Sequence, residues 1–365
     1  MHRFPPVGYA RVVRRAHALP AIRCVALFCL GLVGFVVGAE AIRGAIPPFL
    51  RNGRLRYTHE YHRQFGQEYN TLFFGTSRAQ FGVMPRLFDE LNAKEGLRTT
   101  SLNLAVAGMN NFNTEAAVLR ALKQHQGPLD YVFIDPGDMR AGVNSGSEYS
   151  EHSLNWHDAY GTWHALQNSF SQRTPSFVKL ARSHLQMFLV NSTNAGRGVR
   201  FFEFLMRRQA DVSRLGEQQG FVSREARLAK GHPSRAKTLR ALRAFKRSGR
   251  RWLATVRKVR ARRPRKAHKP AVEMIRRLDR AVRERGATPI FYVVPRADNR
   301  ANYLLSAQRA KATDSVLYFA DYKRHRDLFD ARLMMESTHY NDAGAKRFTR
   351  ALARRWHLLR ARQNN

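Results

Sequence analysis

The sequence predicts an α/β protein with a doubly wound parallel sheet, preceded by a membrane helix and interrupted by a basic helical insertion. Three observations carry that expectation. Short apolar runs alternate with segments of helical periodicity, the sixteen residues from Cys24 to Ala39 contain no charge, and residues 224–285 hold 24 Lys and Arg against four acids. Alternation of buried strands and helices implies a parallel sheet covered on both faces. With 365 residues, 44% hydrophobic and 11% aromatic, the chain is long and apolar enough to bury a large core, which excludes wholesale disorder. Two cysteines, Cys24 and Cys29, exclude a disulfide framework and a cysteine-based zinc site in the rest of the chain.

The N-terminal elements come first. Residues 1–23 form a basic tail with Arg11, Arg14, Arg15 and Arg23, expected in the cytoplasm. Residues 24–44 are expected to be a single-pass signal-anchor in the inner membrane. The uncharged run is short for a span of about 20 residues, and Arg23 can lengthen it by snorkelling to the interface. Ala39-Glu40-Ala41 also has the form of a signal-peptidase site, so cleavage is the competing expectation. Either route delivers residues 45–365 outside the cytoplasm. Pro47-Pro48 ends any helix there, and residues 45–68 read as a connector.

The α/β domain is expected over 69–140 and 285–358. Residues 69–74 (YNTLFF) read as a strand ended by Gly75; 84–95 as a helix; 102–106 as a second strand ending near Gly108; and 115–123 as a helix. Residues 131–134 and 289–294 (PIFYVV) supply two more strands, the latter after a helix over 271–285, and 342–358 forms a closing helix. Residues 141–284 are expected as an insertion. Its first part, 141–175, is rich in Ser, Asn, His, Gly and Trp and reads as a surface excursion. Its later part holds +20 of the net charge of +37, with Leu239, Leu242, Phe245, Trp252, Leu253 and Val256 near helical spacing.

Ligands of doubly wound folds sit at the carboxyl ends of the strands, and three such places carry chemistry. Gly75-Thr76-Ser77-Arg78 puts a serine at a strand-to-helix turn, near backbone N–H groups able to hold an oxyanion. Residues 103–110 (NLAVAGMN) include Gly108, where backbone can approach a substrate closely. Residues 336–345 (ESTHYNDAGA) place Glu336 three residues before His339. A serine nucleophile needs a base for its proton and an acid to orient that base, and Ser77, His339 and Glu336 supply the three groups. Asp330 and Asp342 are alternative acids. The remaining histidines, including His59, His62, His152, His157 and His164, lack a metal-ligand spacing, so no metal and no cofactor is expected.

The stretches LFFGTSRAQFGVMPRLFDEL, SLNLAVAGMNNFNTEAAVLRAL and THYNDAGAKRFTRAL resemble blocks of the SGNH hydrolase (GDSL-like) superfamily, in particular its membrane-anchored DltD and alginate-acetylation branch. The resemblance covers residues 69–140 and 285–355 and leaves the basic insertion unmatched. It implies a flavodoxin-like sheet, Ser77 as nucleophile, His339 as general base, and Gly108 with the Ser77 N–H as oxyanion donors; Asn110 is the alternative donor, and Arg78 is a candidate to bind substrate or pair with a nearby carboxylate. It implies an esterase or O-acyltransferase acting on O-acyl, typically O-acetyl, esters of a cell-envelope glycan or lipid, with an acyltransferase protein as a possible partner. Two departures stand out. Glu336 occupies the place of an aspartate, and residues 133–138 (FIDPGD) lack the asparagine that completes the oxyanion hole in hydrolases. A carboxylate there, such as Asp138, repels an oxyanion unless protonated or salt-bridged, with Arg78 or Arg140 as candidate partners.

The alternative reading is a catalytically inactive envelope protein that binds acidic polymer through its basic insertion. Nucleic acid is the less natural partner, since a chain exported past the membrane meets little of it.

Overall fold

The computed structural model describes residues 23–31, 33–35, 37–38, 53–139, 151–171, 177–192, 216–259 and 269–364. In chain order these form helix α1 (Gly53–Phe65), strand β1 (Thr71–Phe74), α2 (Ser77–Gly82), α3 (Pro85–Lys94), β2 (Ser101–Asn103), α4 (Asn111–Gln124) and β3 (Tyr131–Ile134). There follow α5 (Glu151–Trp156), α6 (Ala159–Ser171), α7 (Phe177–Ser192), α8 (Arg235–Val256) and α9 (Lys269–Glu284). The chain closes with β4 (Thr288–Val293), α10 (Tyr303–Arg309), β5 (Val316–Tyr318), β6 (Met334–Glu336), β7 (His339–Tyr340) and α11 (Asp342–Asn364).

Strands β1 to β5 form one parallel sheet in the order β2-β1-β3-β4-β5. This is the doubly wound order in which the crevice between the first and third strands is the topological switch point. The central strands are apolar throughout because both faces are covered. Leu72, Phe74, Val132, Ile134, Phe291 and Val293 point into one layer with Val118 and Leu122 of α4 and Ile275, Leu278 and Val282 of α9. Phe73, Phe133, Ile290 and Tyr292 point into the other, with Phe88 of α3, Phe348, Leu352 and Trp356 of α11, and Phe245, Trp252 and Val256 of α8. Trp356 packs 5.3 Å from the Phe88 ring and 5.6 Å from Phe133.

Several elements differ from the sequence expectation. β2 covers Ser101–Asn103 and the chain leaves the sheet at Leu104, because the Asn103 side chain turns back. Its Nδ2 donates to the carbonyls of Ala79 (3.1 Å) and Val83 (3.0 Å), and its Oδ1 accepts from Ala105 N–H (3.0 Å). The open edge of β2 is covered by residues 216–221, with Asn103 N–H donating to Gln219 O at 2.8 Å. Gly220, at φ +84°, permits this approach: a Cβ there would lie 2.1 Å from Asn103 O. The insertion therefore packs back onto the domain, and α9 at its end belongs to the layer under β3 and β4.

The surface excursion expected over 141–175 is helical where described, in α5 and α6, with Trp156 stacked on Phe112 of α4 at 4.6 Å. Residues 141–150 and 172–176 lie outside the described residues. The membrane helix expected over 24–44 is not supported by the fold. Residues 23–31, 33–35 and 37–38 are helical, but among the described residues no helix is long and apolar enough to cross a membrane, and residues 39–44 lie outside them.

The aromatic layer makes a direct prediction. Trp356→Ala opens a cavity among Phe88, Tyr131 and Phe133 and should lower unfolding free energy by about 3–5 kcal/mol in a denaturant titration. Leu358→Ala, at a half-exposed position on the same helix, should change it by about 0.5 kcal/mol or less.

Candidate active site

β1 ends at Phe74, and Gly75 at φ +154° turns the chain sharply at the sheet edge. A Cβ at Gly75 would lie 2.8 Å from both Ala79 Cβ and Asp135 Cβ, so only glycine lets the turn sit this close to the end of β3. Thr76 caps α2, its Oγ1 accepting from Arg78 N–H at 3.3 Å, and Ser77 opens the helix. The loop after β2 is tied to this turn twice. Val106 N–H donates to Gly75 O (3.1 Å), and Ala107 N–H donates to Gln80 Oε1 (2.9 Å). Gly108 follows, exposed and at φ +89°.

The opposite wall is the β6–β7 hairpin. The Glu-x-x-His spacing becomes a tight strand reversal in which Glu336 and His339 are register partners across Ser337-Thr338. Ser77 Oγ lies 2.7 Å from His339 Nε2, and His339 Nδ1 is hydrogen-bonded to Glu336 Oε1. Thr338 Oγ1 stands 3.1 Å from the same Nδ1. With Glu336 as acceptor, Nδ1 carries the proton and Nε2 is the lone pair that faces Ser77. The structure thus brings together all three residues that the sequence singled out, across 262 positions.

The insertion holds this hairpin. Arg224, itself buried, pairs with Glu336 Oε1 at 2.7 Å, and the Trp252 indole N–H of α8 donates to Ser337 O at 3.0 Å. Phe81 meets the His339 ring edge-on at 5.2 Å, while the guanidiniums of Arg224 and Arg227 each lie 4.9 Å from its centroid. The hydrogen bond to His339 holds the Glu336 carboxyl below its ordinary range against burial, with Arg224 adding to the effect. Burial lowers the His339 imidazole below 6.5; its bond to Glu336 opposes this, and the Arg224 and Arg78 charges push it further down.

Asp138 has its charge answered. Arg296 lies 2.5 Å from it, with Arg300 at 3.4 Å and Arg78 at 3.8 Å. Burial draws the Arg296 guanidinium down, but its bonds to Asp298 and Asp138 hold it above the ordinary arginine value. Burial raises Asp135, with the Arg78 and Arg296 charges opposing. Arg78 thus faces the carboxylates at the end of β3. Asn110 caps α4, its side chain accepting from Asn113 N–H at 3.0 Å.

The alternative acids are placed elsewhere. Asp330 pairs with Arg332, and Asp342 accepts from Ser223 Oγ at 2.6 Å. Arg140 lies outside the described residues. Arg296, at the carboxyl end of β4, could have been noticed as a charge at a strand end. Arg224 and Trp252 carried no local signal, since their roles arise only from tertiary packing. Among the described residues no group of three or more His, Cys, Asp or Glu is placed to hold a metal ion. Beside Gly108, Met109 joins Leu55, Phe74 and Leu104 in lining a small, mostly apolar pocket of about 50 Å³ between α1 and α4.

The chain matches no protein-family model and no curated protein in sequence. The geometry nevertheless makes a prediction about pH. A base must be neutral to accept a proton, so a rate that depends on His339 should fall as pH drops through a value below 6.5. Arg224→Gln removes a positive charge that opposes imidazolium, so its acid limb should move to higher pH, whereas Arg224→Lys should keep the limb low. The check is the pH profile of p-nitrophenyl acetate hydrolysis by the folded variants.

Proposed function

We propose that this protein is an SGNH-like serine esterase or O-acyltransferase acting on O-acyl esters, such as O-acetyl esters, of a cell-envelope glycan or lipid. The observation that carries the reading is the hydrogen-bonded chain Ser77 Oγ–His339 Nε2 with His339 Nδ1–Glu336, at the carboxyl edge of β1 in a 2-1-3-4-5 sheet. The three sequence blocks that resemble the SGNH superfamily support it. The uncharged run at 24–39 and its basic flank support an N-terminal anchor in the inner membrane with the domain on the extracytoplasmic side.

The reaction follows from the donors and acceptors present. Ser77 Oγ attacks the ester carbonyl while its proton passes to His339 Nε2. The oxyanion is received by the N–H groups of Ser77 and Gly108, and Glu336 offsets the imidazolium charge. His339 then returns the proton to the leaving hydroxyl, giving an acyl-Ser77 ester. Water or an acceptor hydroxyl, deprotonated by His339, releases the acyl group; these two fates separate hydrolysis from transfer. An acyltransferase protein that supplies acyl groups is the partner this scheme accommodates.

The second reading is a non-catalytic binder of acidic polymer. It is favoured by α8, all eight of whose Lys and Arg are exposed and which holds no acid. It predicts binding to a polyanion that weakens with salt, survives Ser77→Ala, and is lost when the α8 cations are replaced by Gln.

For the enzymatic reading, Ser77→Ala and His339→Ala should each lower p-nitrophenyl acetate hydrolysis by about a thousand-fold or more without loss of fold. Glu336→Gln should cost less. Unchanged turnover in either of the first two variants overturns the mechanism.

A further inference from the structure

The hairpin of α6 and α7 buries several polar side chains and exposes several large apolar ones. Four polar side chains are turned inward: Ser169, His184, Asn191 and Ser192 are buried. Three of them have partners there. His184 Nδ1 lies 2.9 Å from His157 Nε2, Asn191 Nδ2 donates to His157 O (3.1 Å), and Ser169 Oγ donates to Ala165 O (2.9 Å). Met187 is buried with them, but six large apolar side chains are turned outward. Val178 is 75% exposed, Trp163 and Phe170 60% each, Leu189 56%, and Tyr160 and Leu185 47% each.

The outward residues form stripes. At about 100° per residue, Val178, Leu185 and Leu189 fall within roughly 40° of one another on α7, and Tyr160, Trp163 and Phe170 within roughly 80° on α6. Phe170 of α6 and Phe177 of α7 pack against each other, with ring centroids 4.1 Å apart. A hairpin folded for water carries the opposite pattern, and contiguous exposed apolar area marks a surface that something apolar covers.

Charge and composition select the cover. Neither helix contains an acidic residue, Lys179 and Arg182 of α7 are exposed, and the chain carries +37 overall. Trp and Tyr beside aliphatic residues, rimmed by cations, are what an anionic bilayer interface accepts. The helical residues at 23–38 add a second exposed apolar stretch, with Val25, Leu27, Phe28 and Leu30 all more than half exposed.

We propose that the α6–α7 hairpin is a lipid-facing element, dipping its Tyr160, Trp163, Phe170, Val178, Leu185 and Leu189 side chains into the headgroup–acyl boundary of an anionic bilayer. The inference rests on the reading that this domain is held at a membrane, and adds a second contact that orients it there.

The chain's four tryptophans make the test specific. Trp156, Trp252 and Trp356 are each 8% exposed or less, so Trp163 is the one indole able to meet lipid. The full chain is reconstituted in phosphatidylglycerol–phosphatidylethanolamine vesicles, with plain or brominated acyl chains, and its tryptophan emission is compared. The expected result is lower emission in the brominated vesicles, with that loss abolished in Trp163→Phe. A chain that does not float with the vesicles overturns the membrane reading and this inference together. A chain that floats but shows equal emission in both vesicles overturns this inference alone. Quenching that persists in Trp163→Phe also overturns it.

Discussion

The hydrogen bond between Ser77 and His339 is the constraint on which the arrangement depends, because it joins the first strand's end to a hairpin 262 residues later. A serine hydroxyl is a poor nucleophile by itself, and an imidazole helps only when its lone pair is aimed at the hydroxyl proton. Both walls are therefore fixed by the surrounding fold. On one side Gly75 brings the Ser77 turn against Asp135, and Asn103 ties α2 to the end of β2. On the other side the β6–β7 hairpin is held from the insertion by Arg224 and Trp252, and from below by the Tyr340 hydroxyl, which donates to Leu328 O at 2.9 Å. The basic insertion is thus part of the frame that positions His339, and whatever moves α8 acts on the turn that carries it.

Charge balance around the site follows the same logic. A buried ion is costly unless paired, and the carboxyl end of the sheet holds Asp135, Asp138 and Asp298 opposite Arg78, Arg296 and Arg300. Asp138, in the position where an oxyanion donor would be expected, has its charge committed to these arginines. That removes much of its repulsion toward a developing oxyanion but supplies no hydrogen-bond donor, so the proposed mechanism assigns that task to the backbone N–H groups of Ser77 and Gly108. At Glu336 the single Oε1 serves both Arg224 and His339, which keeps the acid ionised while limiting how far it can raise the imidazole's basicity.

Much of the sheet was legible in the sequence, and the reasons are physical. YVFI and PIFYV are unbroken apolar runs because their strands are covered on both faces, and 131–134 matches β3 at both ends. β5 was missed because Val316–Tyr318 is too short to show a pattern, and β2 was drawn too long because Asn103 ends it through side-chain bonds. α6 was missed because its buried face is made of the small or polar Thr162, Ala165 and Ser169 while Trp163 and Phe170 are exposed, so a search for a large apolar inner face finds none. The triad was legible since each member sits at a chain-local signal: a strand-end serine and an acid three residues before a histidine. Arg224, Trp252 and Arg296 were not, since an ion pair across 112 residues or an indole bond across 85 leaves no mark in local spacing.

The central claim is that Ser77 is an activated nucleophile. The most direct measurement is exposure of the folded protein to an active-serine fluorophosphonate, with the adduct located by peptide mass. The account predicts a single adduct on Ser77 that is absent in His339→Ala. A folded protein that gains no adduct, or gains one on Ser77 regardless of His339, would contradict it.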